Sequence, residues 1–229
     1  MAKRLFDIVG AVLGLLIATP IVAIAAAGIW LTSRGPIFYQ AQRVGRFGRG
    51  FKMYKLRSMH VAADSGSAIT AEADPRVFPV GRCIRATKID ELPQLWNVLI
   101  GQMSIVGPRP EDPGIVADHY TQIDRETLLV RPGLTSPGSI YNYTHGETLI
   151  DSSAPERCYV DRLLPIKLSM ERVYVRKTSL GYDLSLIART VWVLLRKATG
   201  QVQFAEPPEM RMVLAESAAK PSIVVHSPQ

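Results

Sequence analysis

The most apolar stretch of the chain comes first. From Ile8 to Ser33 no charged residue occurs, a run of 26 positions, which reaches the length of a membrane helix. Lys3 and Arg4 precede it, and Arg34, Arg43, Arg46, Arg49 and Lys52 follow it, with no acid between Asp7 and Asp64. A spanning helix must send one of these basic flanks across the bilayer, against the positive-inside rule. Thr19-Pro20, at the middle of the run, offers another course. Proline lacks an N–H and clashes with the carbonyl four residues back, so it kinks a helix. A sharp kink lets the segment enter the lipid and return to the side it left, with the Thr19 hydroxyl as a donor for a freed carbonyl. Each arm of about a dozen residues, or ~18 Å, is too short to cross a ~30 Å hydrocarbon layer. On pattern alone the spanning and re-entrant courses both stand. A cleaved signal peptide fits poorly, because Gly28-Ile29-Trp30-Leu31 prolongs the apolar run beyond Ala25-Ala26-Ala27.

Further on, the pattern changes period. Phe38-Tyr39-Gln40 and Phe51-Lys52-Met53-Tyr54 flank the turn composition Gly45 to Gly50, which predicts a β-hairpin within 35–60. Residues 62–77 are small and polar and predict a mobile loop. Ile89, Leu92, Trp96 and Leu99 recur at helical spacing, so a helix is expected over 87–100, with Thr87 as its N-cap and Gly101 as its stop. A second helix is expected over 115–130, then a loop to about Pro155. Leu184, Ile187, Ala188, Val191 and Leu195 share one helical face. That face suits either the core or a membrane interface with Trp192 as anchor. After Ala205 the chain is rich in Pro, Ala and Ser and reads as a disordered tail. The organisation expected is an anchor over 1–34, a catalytic domain over 35–204 and a tail over 205–229. The fold class is α+β, helix-rich with a small β-hairpin or sheet.

Composition narrows the chemistry. The 229 residues are 47% hydrophobic and carry a formal charge of +7, which points to anionic partners: nucleotides, nucleic acid or an acidic membrane surface. Two distant cysteines, Cys83 and Cys158, exclude a disulfide framework. The four histidines lack zinc-ligand spacing.

Asp90-Glu91 are the most telling acids. Acidic residues favour the first turn of a helix for electrostatic reasons alone. The same place can do phosphate chemistry: free amides bind phosphate, one carboxylate can attack phosphorus, and its neighbour can hold Mg²⁺. Arg109 stands between two prolines, a cation on a stiff mount that can grip phosphate bidentately, or simply a surface turn. Lys55 and Arg57 continue a cationic run that equally suits anionic lipid. Gly45, Gly48 and Gly50 lack the Walker and Rossmann spacings and read as a turn.

In order along the chain, Lys3-Arg4-x-Phe6-Asp7, Gly35-Pro36-Ile37-Phe38, Phe51-Lys52-Met53-Tyr54-Lys55-Leu56-Arg57, Asp90-Glu91-Leu92-Pro93-Gln94-Leu95-Trp96-Asn97, Val106-Gly107-Pro108-Arg109-Pro110 and Arg131-Pro132-Gly133-Leu134-Thr135 resemble the bacterial sugar transferase family. These are the monotopic polyprenyl-phosphate phosphoglycosyl transferases. The resemblance runs to about Leu186 and favours the re-entrant helix kinked at Pro20. It implies transfer of a sugar 1-phosphate from a UDP-sugar to a polyprenyl phosphate, usually undecaprenyl phosphate, with release of UMP, in the first membrane step of surface-glycan synthesis.

Asp90 matches the family's nucleophile, which forms a covalent phosphosugar-aspartate, and Glu91 the residue that holds Mg²⁺. Arg109 and Arg85 match phosphate-binding arginines, with Lys55, Arg57 and Arg131 as further cations. Glu171 stands where members often place an aspartate near the metal. Asp183 matches an aspartate of structural role. The resemblance also implies a bacterial inner membrane location with the catalytic domain on the cytoplasmic face. Expected partners are inner-leaflet lipid, a second copy of the chain and downstream glycosyltransferases.

Two departures are visible: Ala86-Thr87-Lys88-Ile89 replaces the usual Lys-Thr-Ser-Leu, and Ser136-Pro137-Gly138-Ser139-Ile140 replaces a Gly-Leu-Ala-Gln continuation. The rival readings are a catalytically silent membrane scaffold for glycan export and a membrane-tethered nucleic-acid binder. No recognition motif supports the latter, and no nucleic-acid partner is expected.

Overall fold

The computed structural model describes residues 1–61, 74–151 and 154–219. Most of the expected mobile loop (62–73) and the end of the tail (220–229) lie outside the described residues. The architecture is α+β and helix-rich, with an apolar N-terminal helix and two small sheets.

Helix α1 (Ala2–Thr32) runs unbroken through Pro20. Near the proline, the Thr19 hydroxyl donates to the Leu15 carbonyl at 2.7 Å, a back-bond that bends helices. Asp7, Ala11, Ala18 and Ile29 are buried, and Val22 and Ala25 pack beside Ile29. These positions recur at helical spacing, so one stripe faces the rest of the chain along the whole helix. Leu5, Leu13, Leu16, Ile17, Ile24, Trp30 and Leu31 project on other faces and are exposed.

Both ends of α1 are fastened. The Lys3 ammonium donates to Asp183 Oδ2 at 2.7 Å and to the Val106 carbonyl at 3.0 Å. Asp7 Oδ1 accepts from the Ser104 hydroxyl and the Ile105 amide at 2.9 and 3.0 Å. At the far end, Arg57 donates to the Ser33 hydroxyl and carbonyl at 2.8 and 2.6 Å and to the Pro36 carbonyl at 2.5 Å.

The hairpin forms where expected. Strands β1 (Phe38–Val44) and β2 (Gly50–Leu56) pair antiparallel, Phe38 opposite Leu56 and Val44 opposite Gly50. Ala41, Phe51 and Met53 turn inward to meet Ala11, Val98 and Met103.

The helix expected over 87–100 is instead three pieces. Helix α2 (Pro79–Ala86) ends at Thr87, whose hydroxyl donates back to the Cys83 carbonyl at 2.8 Å. Thr87 therefore closes one helix rather than opening the next. Lys88 then takes the left-handed conformation, φ 58°. A single 3-10 turn, Ile89–Glu91, follows, and α3 (Gln94–Leu99) begins only after Pro93. A proline and a left-handed residue within six positions interrupt what the apolar spacing alone would continue. The side chain of Asn97, fully buried, accepts from the Tyr54 amide and donates to the Lys52 carbonyl, which docks α3 on β2.

The second sheet is parallel: β3 (Ser104–Val106) pairs with β4 (Gly133–Thr135). The helix expected over 115–130 is a shorter α4 (Pro113–His119) and a 3-10 turn over Asp124–Leu129. The loop expected before Pro155 contains α5 (Pro137–Thr144), whose N-cap Ser136 accepts from the Ser139 amide at 2.9 Å. Capping and Pro at N1 mark that start locally, although its apolar period is too short to read. Helix α6 (Pro155–Cys158) passes through a π turn into α7 (Leu164–Lys177).

Helix α8 (Leu180–Ala198) buries Asp183, Leu186 and Val193. Most of the face that suited core or interface points outward: Leu184, Val191 and Leu195 are half-exposed or more and Trp192 beside them nearly so, while Ile187 packs against the cluster of Val106, Tyr174 and Leu186. The tail is also ordered further than composition suggests. Helix α9 (Pro208–Ala219) puts Glu209 at 1% exposure, bound by both Arg189 nitrogens and by the Tyr182 hydroxyl. A buried ion pair, not composition, holds that segment.

Candidate active site

The acidic pair sits on the tight 3-10 turn between α2 and α3, and its two carboxylates meet opposite conditions. Glu91 is saturated. Arg109 grips it with two parallel bonds, Nη1 to Oε2 at 3.0 Å and Nη2 to Oε1 at 2.5 Å. The Lys55 ammonium, on β2, lies 3.5 Å from Oε1. Burial alone would push the Glu91 carboxyl up, but the charges of Arg109, Lys55 and Lys88 hold it well below the usual carboxylate range. Reciprocally, Glu91 holds the Arg109 guanidinium firmly charged.

Asp90 is buried at 7% exposure, and its Oδ1 has no hydrogen-bond partner among the described residues. Burial raises its pKa above the ordinary aspartate value, against the pull of Lys55, while Glu91 pushes it further up and Lys88 and Arg85 pull it down. A carboxylate stripped of donors keeps its lone pairs available and is more basic than one in water.

Arg109 is aimed by the way two Gly-Pro segments meet. Gly107 and Gly133 lie back to back: a Cβ on Gly133 would fall 2.1 Å from the Gly107 nitrogen. The Gly133 amide donates to the Pro108 carbonyl at 2.9 Å and the Gly107 amide to the Thr135 carbonyl at 3.0 Å. Glu171 braces this turn from below. Its Oε1 accepts from the Ser136 hydroxyl at 2.6 Å and from the Arg109 amide at 3.4 Å. Its Oε2 is buried without a partner among the described residues. Burial pushes the Glu171 carboxyl up to about 7, with the Ser136 bond and the Lys167 charge opposing.

Beside Glu91 and Arg109 opens a cleft of about 160 Å³. Lys88, Thr135, Ser139, Asn142, Tyr143 and Thr190 line it together with Leu134, Ile140 and Val193. A cleft of mixed polar and apolar lining next to a cation–carboxylate cluster is the usual form of a small-molecule site.

The bacterial sugar transferase family model matches residues 1–197. The chain belongs to the bacterial sugar transferase family. A protein of Bacillus subtilis (strain 168), named provisionally as an undecaprenyl-phosphate N-acetylgalactosaminyl 1-phosphate transferase, is 52% identical over 132 residues, 57% of this chain and 74% of that protein. A UDP-glucose:undecaprenyl-phosphate glucose-1-phosphate transferase of Caulobacter vibrioides is 36% identical over 85% of this chain and 70% of its own length. The Klebsiella pneumoniae protein of the same name is 37% identical over 83% of this chain, which spans only 39% of that longer relative.

For this sugar transferase, the structure gathers Asp90, Glu91, Lys55 and Arg109 into one cluster, with Arg85 at the end of α2 near enough to act on Asp90 by its charge. Three expected residues are elsewhere. Arg57 is 6% exposed and spends its guanidinium on Ser33 and Pro36. Arg131 donates to the Gly101 carbonyl at 2.9 Å, beside Arg4, which caps the Val98 and Leu99 carbonyls at the end of α3. Glu171 lies under the Arg109 turn and joins no group of three metal-binding side chains; none exists among the described residues. Cationic charge alone could not separate these tasks, because each arginine is spoken for by carbonyls distant in sequence.

Two residues escaped the sequence reading. Lys88 was overlooked beside the acids it neighbours. Gln94, fully buried four positions after Asp90, has both amide atoms unpartnered among the described residues.

Proposed function

We propose that the chain transfers a sugar 1-phosphate from a UDP-sugar to undecaprenyl phosphate through a covalent aspartyl intermediate. The observation that carries this reading is the asymmetry of the pair: Asp90 buried and unpartnered, Glu91 locked between Arg109 and Lys55. In the first step an Asp90 oxygen attacks the sugar-linked phosphorus. The phosphorus–oxygen bond to the UMP phosphate breaks, and its electron pair leaves with UMP. In the second, an oxygen of the lipid phosphate attacks the same phosphorus and the aspartyl oxygen leaves, which regenerates the carboxylate. Arg109, Lys55 and Arg85 offset the phosphate charge that would otherwise repel an anionic nucleophile.

The residues present suit Mg²⁺, which takes few protein ligands and fills its shell with substrate phosphates. Glu91 and the free Asp90 oxygen are the oxygen donors in reach. When bound, the ion supplies charge neutralisation on the diphosphate. Arg109 then has to release Glu91 for phosphate, an exchange of one bidentate anion for another.

The seating of α1 supports a re-entrant, monotopic anchor. A 31-residue helix whose most apolar window has mean hydropathy 2.6 would be expected to span. Yet Lys3 and Arg4 at one end and Ser33 at the other are tied to the same folded body. Ends held on one body cannot lie on opposite sides of a bilayer that body does not cross. The exposed faces of α1 and α8 then rest in the lipid, with the site at the cytoplasmic surface of the inner membrane where a soluble and a lipid phosphate can meet.

The test is incubation of purified protein with Mg²⁺ and UDP-N-acetylgalactosamine, UDP-glucose and related donors, with no lipid. UMP release with a matching mass gain on Asp90 is expected. Turnover that needs both substrates together and leaves no adduct would refute the two-step route.

A further inference from the structure

The cations around the acidic pair are not equally engaged. Lys55 and Arg109 both close on Glu91. Lys88 has no hydrogen bond or ion pair from its ammonium among the described residues; the ammonium rests over the Tyr143 ring, 4.7 Å from the centroid. Lys197 reaches the same ring at 4.2 Å and donates to the Tyr143 carbonyl. Two ammonium groups thus converge on one neutral ring at the cleft wall, where a like-charge pair gains from an incoming anion.

The backbone points the same way. Lys88 holds φ 58°, a conformation that glycine or asparagine adopts far more readily than lysine. Strain of this kind collects at ligand clamps, and here it sets a cation two residues before the nucleophile of the proposed reaction.

We propose that Lys88 is a phosphate-binding residue of the cleft, and that it leaves the Tyr143 ring to contact the diphosphate of the nucleotide donor. The proposal rests on the transferase reading. The lipid acceptor also carries a phosphate, but Thr135, Ser139, Asn142 and Thr190, which line the same cleft, suit a hydrated sugar nucleotide better than a hydrocarbon tail.

Full-length protein in detergent, with Mg²⁺, is assayed as wild type, Lys88→Met, Lys88→Arg and Lys88→Asn, varying donor and acceptor separately. UDP binding is titrated in parallel. Loss of one charge-assisted bond is expected to raise the donor KM and weaken UDP binding about tenfold or more in Lys88→Met, with the acceptor KM unchanged. Lys88→Arg restores most of the loss. Lys88→Asn is expected to melt higher than wild type while binding donor more weakly, a pairing of signs that a merely structural lysine cannot produce. Donor KM and UDP affinity within about twofold of wild type in Lys88→Met overturn the proposal, being far below the loss of a charged contact. A rise confined to the acceptor KM overturns the donor assignment and moves the contact to the lipid phosphate. If the wild type releases no UMP from any donor, the transferase reading fails, and equal UDP affinity of wild type and Lys88→Met then sinks the lysine separately.

Discussion

The two groups of buried carboxylates under α1 and beside it are built on opposite principles. At the anchor seat, Asp183 gives one oxygen to Lys3 at 2.7 Å and the other to the Tyr174 hydroxyl at 2.7 Å. Tyr174 also donates to the Val106 carbonyl, and Asp7 holds Ser104 and Ile105. At the 3-10 turn, Asp90 keeps a buried oxygen with no partner among the described residues. Satisfied buried charges hold a fold together, while an unsatisfied one costs stability and gains reactivity. The two regions share a strand: β3 carries the Asp7 seat at its start and the Val106 carbonyl at its end, one residue before the turn that aims Arg109. The anchor's seat and Arg109 are therefore braced through the same few residues.

The sharpest break of this comparison is Asp90→Asn. Removing the proposed nucleophile is expected to lower turnover at least about a thousandfold and abolish the adduct. The melting temperature should hold or rise, because a buried carboxylate with no donor among the described residues, beside the charge of Glu91, becomes a neutral amide. A large drop in melting temperature would show that Asp90 is a structural acid after all.

Asp183→Asn is the converse. Stripping one partner from a buried ion pair is expected to cost about 3 kcal/mol in denaturant unfolding. Adding Lys3→Met should recover part of it, and simple additivity of the two losses would show that they are not coupled.

Glu171 gives a pH test. Its folded pKa, about 7, is raised above the ordinary 4.5. Between those values the unfolded chain has released the proton and the folded one still holds it, so stability falls as pH rises across that window and levels off above it. Glu171→Gln should flatten this slope and unfold later than wild type at pH 8; an unchanged slope would assign it to another group. The smallest effect is Tyr174→Phe, which removes one hydroxyl from the seat and should cost about 1 kcal/mol with turnover nearly unchanged.

Much of the site could be read in the chain. Asp90, Glu91, Lys55 and Arg109 were singled out from residue type and neighbours, and the structure brings them together. Local chemistry was enough there, because prolines on both sides of Arg109 restrict the backbone directly, although the tight turn that carries the acids was not expected. Arg57 and Arg131 failed because their partners are carbonyls at Ser33, Pro36 and Gly101 that no local pattern connects to them. The face of α8 stayed open between core and membrane interface for a related reason: periodicity reports that a helix has an apolar side, not what lies against it.

The amino-acid order by itself determined an uncharged apolar run of 26 positions, a hairpin, an acidic pair and an arginine on a rigid mount. These follow from period, composition and backbone restriction within a few residues. Only the tertiary structure decided which cation serves which carboxylate, that both ends of α1 rest on one body, and that Asp90 alone of the pair stays unpartnered. Pairing and burial are set by groups tens of residues apart, where the energy of a charge depends on what the fold removes from water around it.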